Sequence, residues 1–492
     1  MRINKILLTI AASALCLCGM TGCKKFLETE VIGKSTIASF FSEYGGVTAA
    51  GEGLHKEMMK FYCDQYMKYA DVMGNQLCVN SVNAQEGDYY LFNYQMKAAY
   101  TATYPRGVWT AGYSVLTEAN NILYYVPKFK EKCDISYQLE GCDKVIGWAH
   151  YARAMALFNL CNCYGQPYIY TPDASHLGVP VVTEIPGFDA QIPRKTVKEV
   201  YEQVLSDLKE AMKLLDCSSV KDPLHVSGIA CEALMARVCL YMQDWEGAEK
   251  WSESVMGKMS LTPRDNYVAM FRNPKANPGA EAIFRFNSYD NSTGMLSFYD
   301  PTRKENFYPD PSMLGLYDSD DIRKELFTYV SEDCETTYGE TFSAVCKMLP
   351  YKSIADPKDT DPYPFVSRLS EIYLIHAEAL ACGKKHDLEG AADDLKALIA
   401  RGKGIDKSEV ALKWNSQAEM EELIQKERMR ELCYEGHSMF DCLRRGKDVV
   451  RFSTSNASIK ELTYPDYRFI LPIDELEMEA NDFMVQNPGY EN

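Results

Sequence analysis

A mostly α-helical fold, with long segments between the helices and a few short strands, is what this chain of 492 residues predicts. Three observations carry that expectation. Apolar residues recur at helical spacing in one segment after another, whereas the alternation of a half-buried strand is scarce. Two helical hairpins are legible, with small residues where their helices would cross. Between the helices lie two long stretches, 71–108 and 264–365, rich in Asn, Asp, Pro, Gly and aromatic residues. With 46% hydrophobic and 25% charged residues the composition is that of a folded globular protein. The length permits one large core, and residues 23–492 are read as a single domain.

The first element is a leader. Arg2 and Lys5 precede an uncharged apolar run, residues 6–20, which is the layout of a secretory signal. The run is shorter than the ~20 residues that a membrane-crossing helix needs. It ends in Met20-Thr21-Gly22-Cys23, which resembles the lipobox of bacterial lipoproteins. Residues 1–22 are therefore read as a lipoprotein signal peptide and Cys23 as the acylated first residue. Cys16 and Cys18 would leave with the signal. Its removal takes away two positive charges and no negative one, so the formal net charge goes from −17 to −19. So acidic a chain repels nucleic acid, and no nucleic-acid partner is expected. Attachment to a membrane would come from the lipid.

Helices come next. From Thr196, "TVKEVYEQVLSDLKEAMKLL" places Val197, Val200, Tyr201, Val204, Leu208, Ala211, Met212 and Leu215 on one stripe. Thr196 with Glu199 makes a capping box. "WAHYARAMALFNLCNCYG" puts Trp148, Tyr151, Ala152, Met155 and Phe158 on one face and ends near Gly165 and Pro167. The hairpins are "CEALMARVCLYMQDWEGAEKWSESV" and "EIYLIHAEALACGKKHDLEGAADDLKALIARG". Ala236 and Ala248 in the first repeat the separation of Ala379 and Ala391 in the second, the spacing of the small positions in tetratricopeptide hairpins. The copies lie 143 residues apart, so they are read as divergent units separated by a long insertion.

Of the 17 cysteines, 14 follow Cys23 and are scattered, many within apolar helical patterns, as buried thiols would be. Cys133 and Cys142 bracket a loop and could pair outside the cytoplasm. Cys161 and Cys163 lack a second pair of metal ligands and read as structural. Asp318, Asp320 and Asp321 lack the spacing of a calcium loop and read as an N-cap with acidic first-turn residues. "KERMREL" reads as a salt-bridged helix face, with Ser416 and Glu419 as a second capping box upstream.

Ordered motifs in the C-terminal third, "VSRLSEIYLIHAEAL", "QKERMRELCYEGHSMFDCLRRGK" and "ILPIDELEMEANDFMVQNPGY", resemble those of the SusD/RagB family. "KKFLE" after the lipobox, "WTAGYSVLTEANNILYYV", "RAMALFNLCNCYGQPYIY", "EAIFRF" and "SDDIRKELF" extend the resemblance over essentially the whole mature chain. Lys24 and Lys25 depart from it, being basic where a surface-export signal is acidic. The resemblance implies an outer-membrane lipoprotein that binds nutrients, mostly glycans, and sits as a lid on a TonB-dependent, SusC-like transporter. It implies no cofactor, no metal and no catalysis. A peptide or glycopeptide binder of the RagB type is the alternative it leaves open, with a glycan-cleaving enzyme behind that. Motifs of zinc peptidases, serine hydrolases, P-loops and dinucleotide folds are absent.

A sugar ring offers an apolar face and a rim of hydroxyls, so its site needs aromatic platforms beside hydrogen-bonding side chains. Seven of the 21 residues in 89–109 and six of the 24 in 285–308 are aromatic, against 12% for the chain. These stretches are expected to be two walls of one site. The candidate ligand residues are Asn75, Tyr89, Tyr90, Tyr94, Arg285, Tyr289 and Tyr299. Trp109 and Tyr113, spaced i and i+4, are assigned to helix packing.

Overall fold

The apolar stripes pack helix against helix in chain order. The computed structural model describes residues 36–82, 84–97, 104–287, 306–327, 347 and 363–490. Helix α1 (Tyr44–Phe61) runs through a π-helical turn, Tyr62–Met67, into Lys68–Val72. Strand β1 (Leu77–Val79) and helix α2 (Glu86–Phe92) follow, then α3 (Tyr104–Lys130), α4 (Ser136–Tyr164) and α5 (Val197–Leu214). The first hairpin is α6 (Gly228–Met242) and α7 (Trp245–Met256). An insertion carries α8 (Arg264–Arg272), β2 (Ala282–Arg285), β3 (Phe307–Pro309) and β4 (Phe365–Arg368). The second hairpin is α9 (Leu369–Cys382) and α10 (Leu388–Lys403), followed by α11 (Gln417–Glu431), α12 (Ser438–Leu443) and α13 (Glu475–Ala480).

Each long helix lies against the next: α3 on α4, α4 on α5, α5 on α6, α6 on α7, then α7 on α9, α9 on α10 and α11. The two hairpins are therefore neighbours in space although the insertion separates them in sequence. Ala236, Ala248, Ala379 and Ala391 are all fully buried. Their small side chains let the crossing helices approach, which is why that spacing was readable. Thr196 and Glu199 form the capping box at the start of α5. Buried on that helix, Asp207 accepts from Arg153 Nε and Nη2 (2.9 and 2.6 Å) and lies 2.7 Å from His150 Nδ1. No helix of the described residues is long and apolar enough to cross a membrane.

Helix α4 begins twelve residues ahead of the Trp148 stripe, so most of the stretch between Cys133 and Cys142 is helix rather than loop. Cys142 is buried in that helix, while the Cys133 thiol donates to Gln138 Oε1 at 3.3 Å, and both are free thiols. Cys161 and Cys163 are buried further along α4, and burial pushes the Cys161 thiol up to about 12. No group of three or more His, Cys, Asp or Glu among the described residues could hold a metal ion. The long stretch 71–108 contains β1 but also α2 and the first turn of α3, and 264–365 contains α8 besides its strands. The acidic pair Glu86 and Asp88 in the first turn of α2 favours helix at its positive end.

"KERMREL" differs most from expectation. Glu427, Arg428 and Glu431 are buried, and the last two turns of α11 form the centre of an internal ion cluster. Glu431 accepts from Arg368 Nη1 (2.6 Å), Arg401 Nη2 (2.6 Å), Arg323 Nη1 (2.8 Å) and Tyr267 Oη (3.0 Å). Glu281, just before β2, holds Arg368 (2.8 Å) and Arg401 (2.6 Å), while Glu435 holds Arg368 and Lys347. Asp321 accepts from the Arg323 N–H and guanidinium, so the acidic cap also serves the cluster. Asp318 pairs with Lys403. Ser416 accepts from the Glu419 N–H, but the Glu419 carboxylate turns to the Asn415 N–H (2.6 Å), leaving the second capping box half made.

Burial alone would raise these carboxyls; Arg401, Arg368 and Arg323 outweigh it at Glu431, and Arg368 with Lys347 hold Glu435 down to about 2. Removing one member strands its partners in the interior. Arg368→Ala is expected to cost about 3–5 kcal/mol in chemical denaturation, whereas Lys384→Ala, which breaks an exposed pair with Glu246, costs under about 1 kcal/mol. Acid acts in the same direction. A depressed carboxyl contributes stability above its unfolded value of 4.5 and loses it as pH falls toward the folded value. His55 and His437, buried and lowered by burial from 6.5 to about 4, are charged first in the unfolded chain and add to the loss. Unfolding free energy should thus fall continuously from about pH 6.5 to about pH 2; a flat profile over that range in denaturant titrations would contradict the assignment.

Candidate functional site

Backbone pairing joins the two long stretches, 71–108 and 264–365, that carry the aromatic-rich segments. β1 comes from the first and β3 from the second, and they run antiparallel with Leu77 opposite Pro309, Cys78 opposite Tyr308 and Val79 opposite Phe307. The Asn80 N–H extends the ladder to the Asn306 carbonyl at 2.8 Å. Beside this pair sits α2. Its Asp88 carboxylate accepts from Tyr104 Oη on one oxygen (2.9 Å) and from Asn306 Nδ2 on the other (2.8 Å). Burial nonetheless raises the pKa of Asp88 above the ordinary carboxylate value. Phe92 at the end of α2 packs on Phe307 with ring centres 5.9 Å apart. Asn93 accepts from the Ser458 N–H and hydroxyl at 2.8 and 2.7 Å.

On this frame α2 turns Tyr89 outward, 43% exposed, with Tyr90 half-buried beside it. Their rings are 6.4 Å apart and inclined at 69°. Tyr90 Oη donates to Glu86 Oε1 at 2.9 Å, and both Gln85 and Glu86 are exposed. Ring faces and hydrogen-bonding groups thus adjoin at one surface, the combination that sugar recognition requires.

Other candidate residues lie elsewhere. Tyr94 is 3% exposed at φ 54°, its hydroxyl donates to the Met73 carbonyl at 2.8 Å, and the Arg451 guanidinium lies 4.4 Å from its ring centre. The left-handed turn after α2 swings it inward, away from Tyr89. Arg285 is 1% exposed on β2; its Nε donates to the Tyr363 carbonyl (3.0 Å) and its Nη1 to those of Met270 and Pro278 (3.1 and 3.0 Å). Stacked 4.0 Å from the Phe365 ring centre, it organises the insertion from within. Half-buried, Asn75 trades hydrogen bonds with Ser438 (3.2 and 3.1 Å) and donates to the Val450 carbonyl (3.2 Å), tying α12 and the strand after it to β1. Cys23, Tyr289 and Tyr299 lie outside the described residues.

A second concave feature is not foreshadowed in the sequence reading. Trp109 and Tyr113 pack together on α3 as their spacing requires, with ring centres 4.7 Å apart, but the same face floors a cleft of about 670 Å³. The loop around 180–192 and the start of α13 form its walls. Phe188 stands fully exposed at its rim. The one signal for this cleft is "EIPGFDAQIP", an apolar ring within a Pro- and Gly-rich loop.

Two family models match, one described as "Starch-binding associating with outer membrane" over residues 48–240 and one described as the SusD family over residues 335–490. The chain belongs to the SusD/RagB family. A SusD-like protein of Formosa agariphila is 23% identical, with 94% of this chain and 96% of the relative covered. Among solved structures, a candidate sugar-binding protein of Bacteroides vulgatus superposes with a TM-score of 0.77 at 26% identity, covering 91% of this chain and 98% of that one. A SusD superfamily protein of Bacteroides thetaiotaomicron gives 0.75 at 25% identity, covering 90% and 99%. Similarity to SusD/RagB proteins thus extends over the helical array and the insertion together.

Proposed function

We propose that this protein captures oligosaccharides at the cell surface and delivers them to a SusC-like TonB-dependent transporter in the outer membrane. The observation that carries the reading is the β1–β3 ladder together with the α2 contacts beside it, Asp88 with Asn306 and Phe92 on Phe307, which bring the two aromatic-rich segments to one place. Similarity to a candidate sugar-binding protein and to a family described as starch-binding supports a glycan as the ligand. Tyr89 and Tyr90 are the described part of the platform; Tyr289 and Tyr299, from the same insertion as β3, are proposed as its continuation. Ring faces would stack on the apolar side of a sugar, with Gln85 and Glu86 taking its hydroxyls. The step is capture and release, without bond breaking.

Cys23 is proposed as the lipid anchor. Tethering raises the concentration of the binder at the transporter into the millimolar range without any new contact. Labelling with a radioactive fatty acid is expected to mark the wild-type protein and to leave Cys23→Ala unmarked.

Calorimetry against a panel of glycans and a peptide mixture tests the ligand class. The combined variant Tyr89→Ala, Tyr90→Ala, Tyr289→Ala, Tyr299→Ala is expected to weaken glycan binding by at least tenfold, since each stacked aromatic contributes about 0.5–1.5 kcal/mol. Undiminished affinity would remove the platform from the site. Binding of peptides alone, or cleavage products after long incubation, would overturn the glycan-capture reading.

A further inference from the structure

The cleft beside Trp109 is the size of a ligand site and is built from hydrogen-bond acceptors. At about 670 Å³ it falls in the range of small-molecule pockets. Its aromatic surfaces are Trp109, Tyr113 and the fully exposed Phe188. Nearly every side-chain donor that lines it is already committed within the protein. Trp109 Nε1 donates to Glu477 Oε2 at 3.2 Å, and Tyr113 Oη donates to the Pro180 carbonyl at 2.9 Å. The hydroxyls of Ser114 and Thr117 donate to carbonyls one turn back on α3, each at 2.9 Å. Asn481 Nδ2 donates to the Ile192 carbonyl at 3.0 Å. What remains facing the cleft, the exposed Thr110 hydroxyl apart, is mostly lone pairs and carboxylates.

Charge in the cleft has one sign. Glu57, Glu118 and Glu477 line it, and no lysine or arginine is among its lining residues. Glu57 has a partner in Lys60 at 2.6 Å, and the nearby Arg106 is held by Asp474 at 2.6 Å. Half-buried, Glu118 makes no hydrogen bond or ion pair with the described residues, and burial together with the neighbouring Glu57 raises its pKa. A half-buried carboxylate with no cation beside it, next to aromatic faces that themselves attract cations, suits a cationic ligand. An anionic ligand would be repelled, and a neutral one would leave Glu118 with water alone as its partner. A bare alkylamine would fill neither the volume nor the row of hydroxyl acceptors along α3.

We infer that this cleft is a second ligand site, specific for a glycan that carries a protonated amine. An amino sugar stacks its apolar face on the aromatic surfaces, donates its hydroxyls to Ser114 and Thr117, and sets its ammonium group against Glu118. This site is independent of the α2 platform, so the Tyr89 and Tyr90 variants should leave it intact, and failure of one reading is distinguishable from failure of the other.

The test is calorimetry of the whole mature protein with a β-1,4-linked glucosamine trimer, at a pH that keeps the amines protonated, and with its N-acetylated counterpart. The cationic trimer is expected to bind at least tenfold more tightly. Glu118→Gln should remove about tenfold of that affinity, the loss expected of one charge-assisted hydrogen bond, and leave the acetylated trimer unaffected. Phe188→Ala, at a fully exposed position where folding is not at stake, should weaken both trimers severalfold. Equal affinity for the two trimers, binding of neither, or indifference to Glu118→Gln would overturn the proposal. 1,6-Diaminohexane binding as tightly as the trimer would overturn the assignment to a sugar.

Discussion

Glu431 is where three arginines from three separate parts of the chain converge: Arg323 from the insertion, Arg368 from the junction of β4 and α9, and Arg401 from the last turn of α10. A carboxylate removed from water is costly, and so is each guanidinium. The arrangement persists because no charge in it stands alone. Glu281, Glu427, Glu435 and Asp321 accept from most of the remaining donors of those arginines, Arg401 Nε excepted. A hydrophobic core of the same volume could be as stable, but it would not demand that these particular segments meet in one register. The cluster specifies where the insertion attaches to the helical array.

That attachment carries through to the proposed binding surface. With Glu281 fixed, β2 leaves the cluster toward β4, and Arg285 gathers three carbonyls of the insertion around its guanidinium. Arg323, anchored from the same insertion, follows β3 closely in the chain, and β3 reaches back to β1. Asp88 then fastens α2 to both Tyr104 and Asn306. The pair of exposed Tyr89 and half-buried Tyr90 is held by a chain of contacts that ends in the ion cluster. Preorganisation of this kind reduces the entropy lost when a ligand binds.

The scaffold was legible because helices announce themselves locally. Thr196 with Glu199, the stripe of α5 and the paired alanines each need only neighbouring residues to be recognised. In "KERMREL" the salt-bridged helix was legible but its burial was not, for the opposite reason: alternating charge looks the same on a solvated face and in a cluster whose partners come from residues 281, 323, 368 and 401. Tyr94 and Arg285 failed as surface candidates on similar grounds. A left-handed backbone turn and an inward strand face decide their direction, and neither is written in residue type. Trp109 and Tyr113 show the reverse case, since a face correctly read as packing is also the floor of a cleft made by residues some seventy and more than 360 positions away.

Hydrogen exchange with and without a bound glycan most directly tests whether the two aromatic-rich segments form one wall. The account predicts that a saturating oligosaccharide protects amides of 85–97 and of 306–309 together, leaving the α6–α7 and α9–α10 hairpins unchanged. Protection confined to one of the two segments, or appearing only on the hairpins, would contradict it.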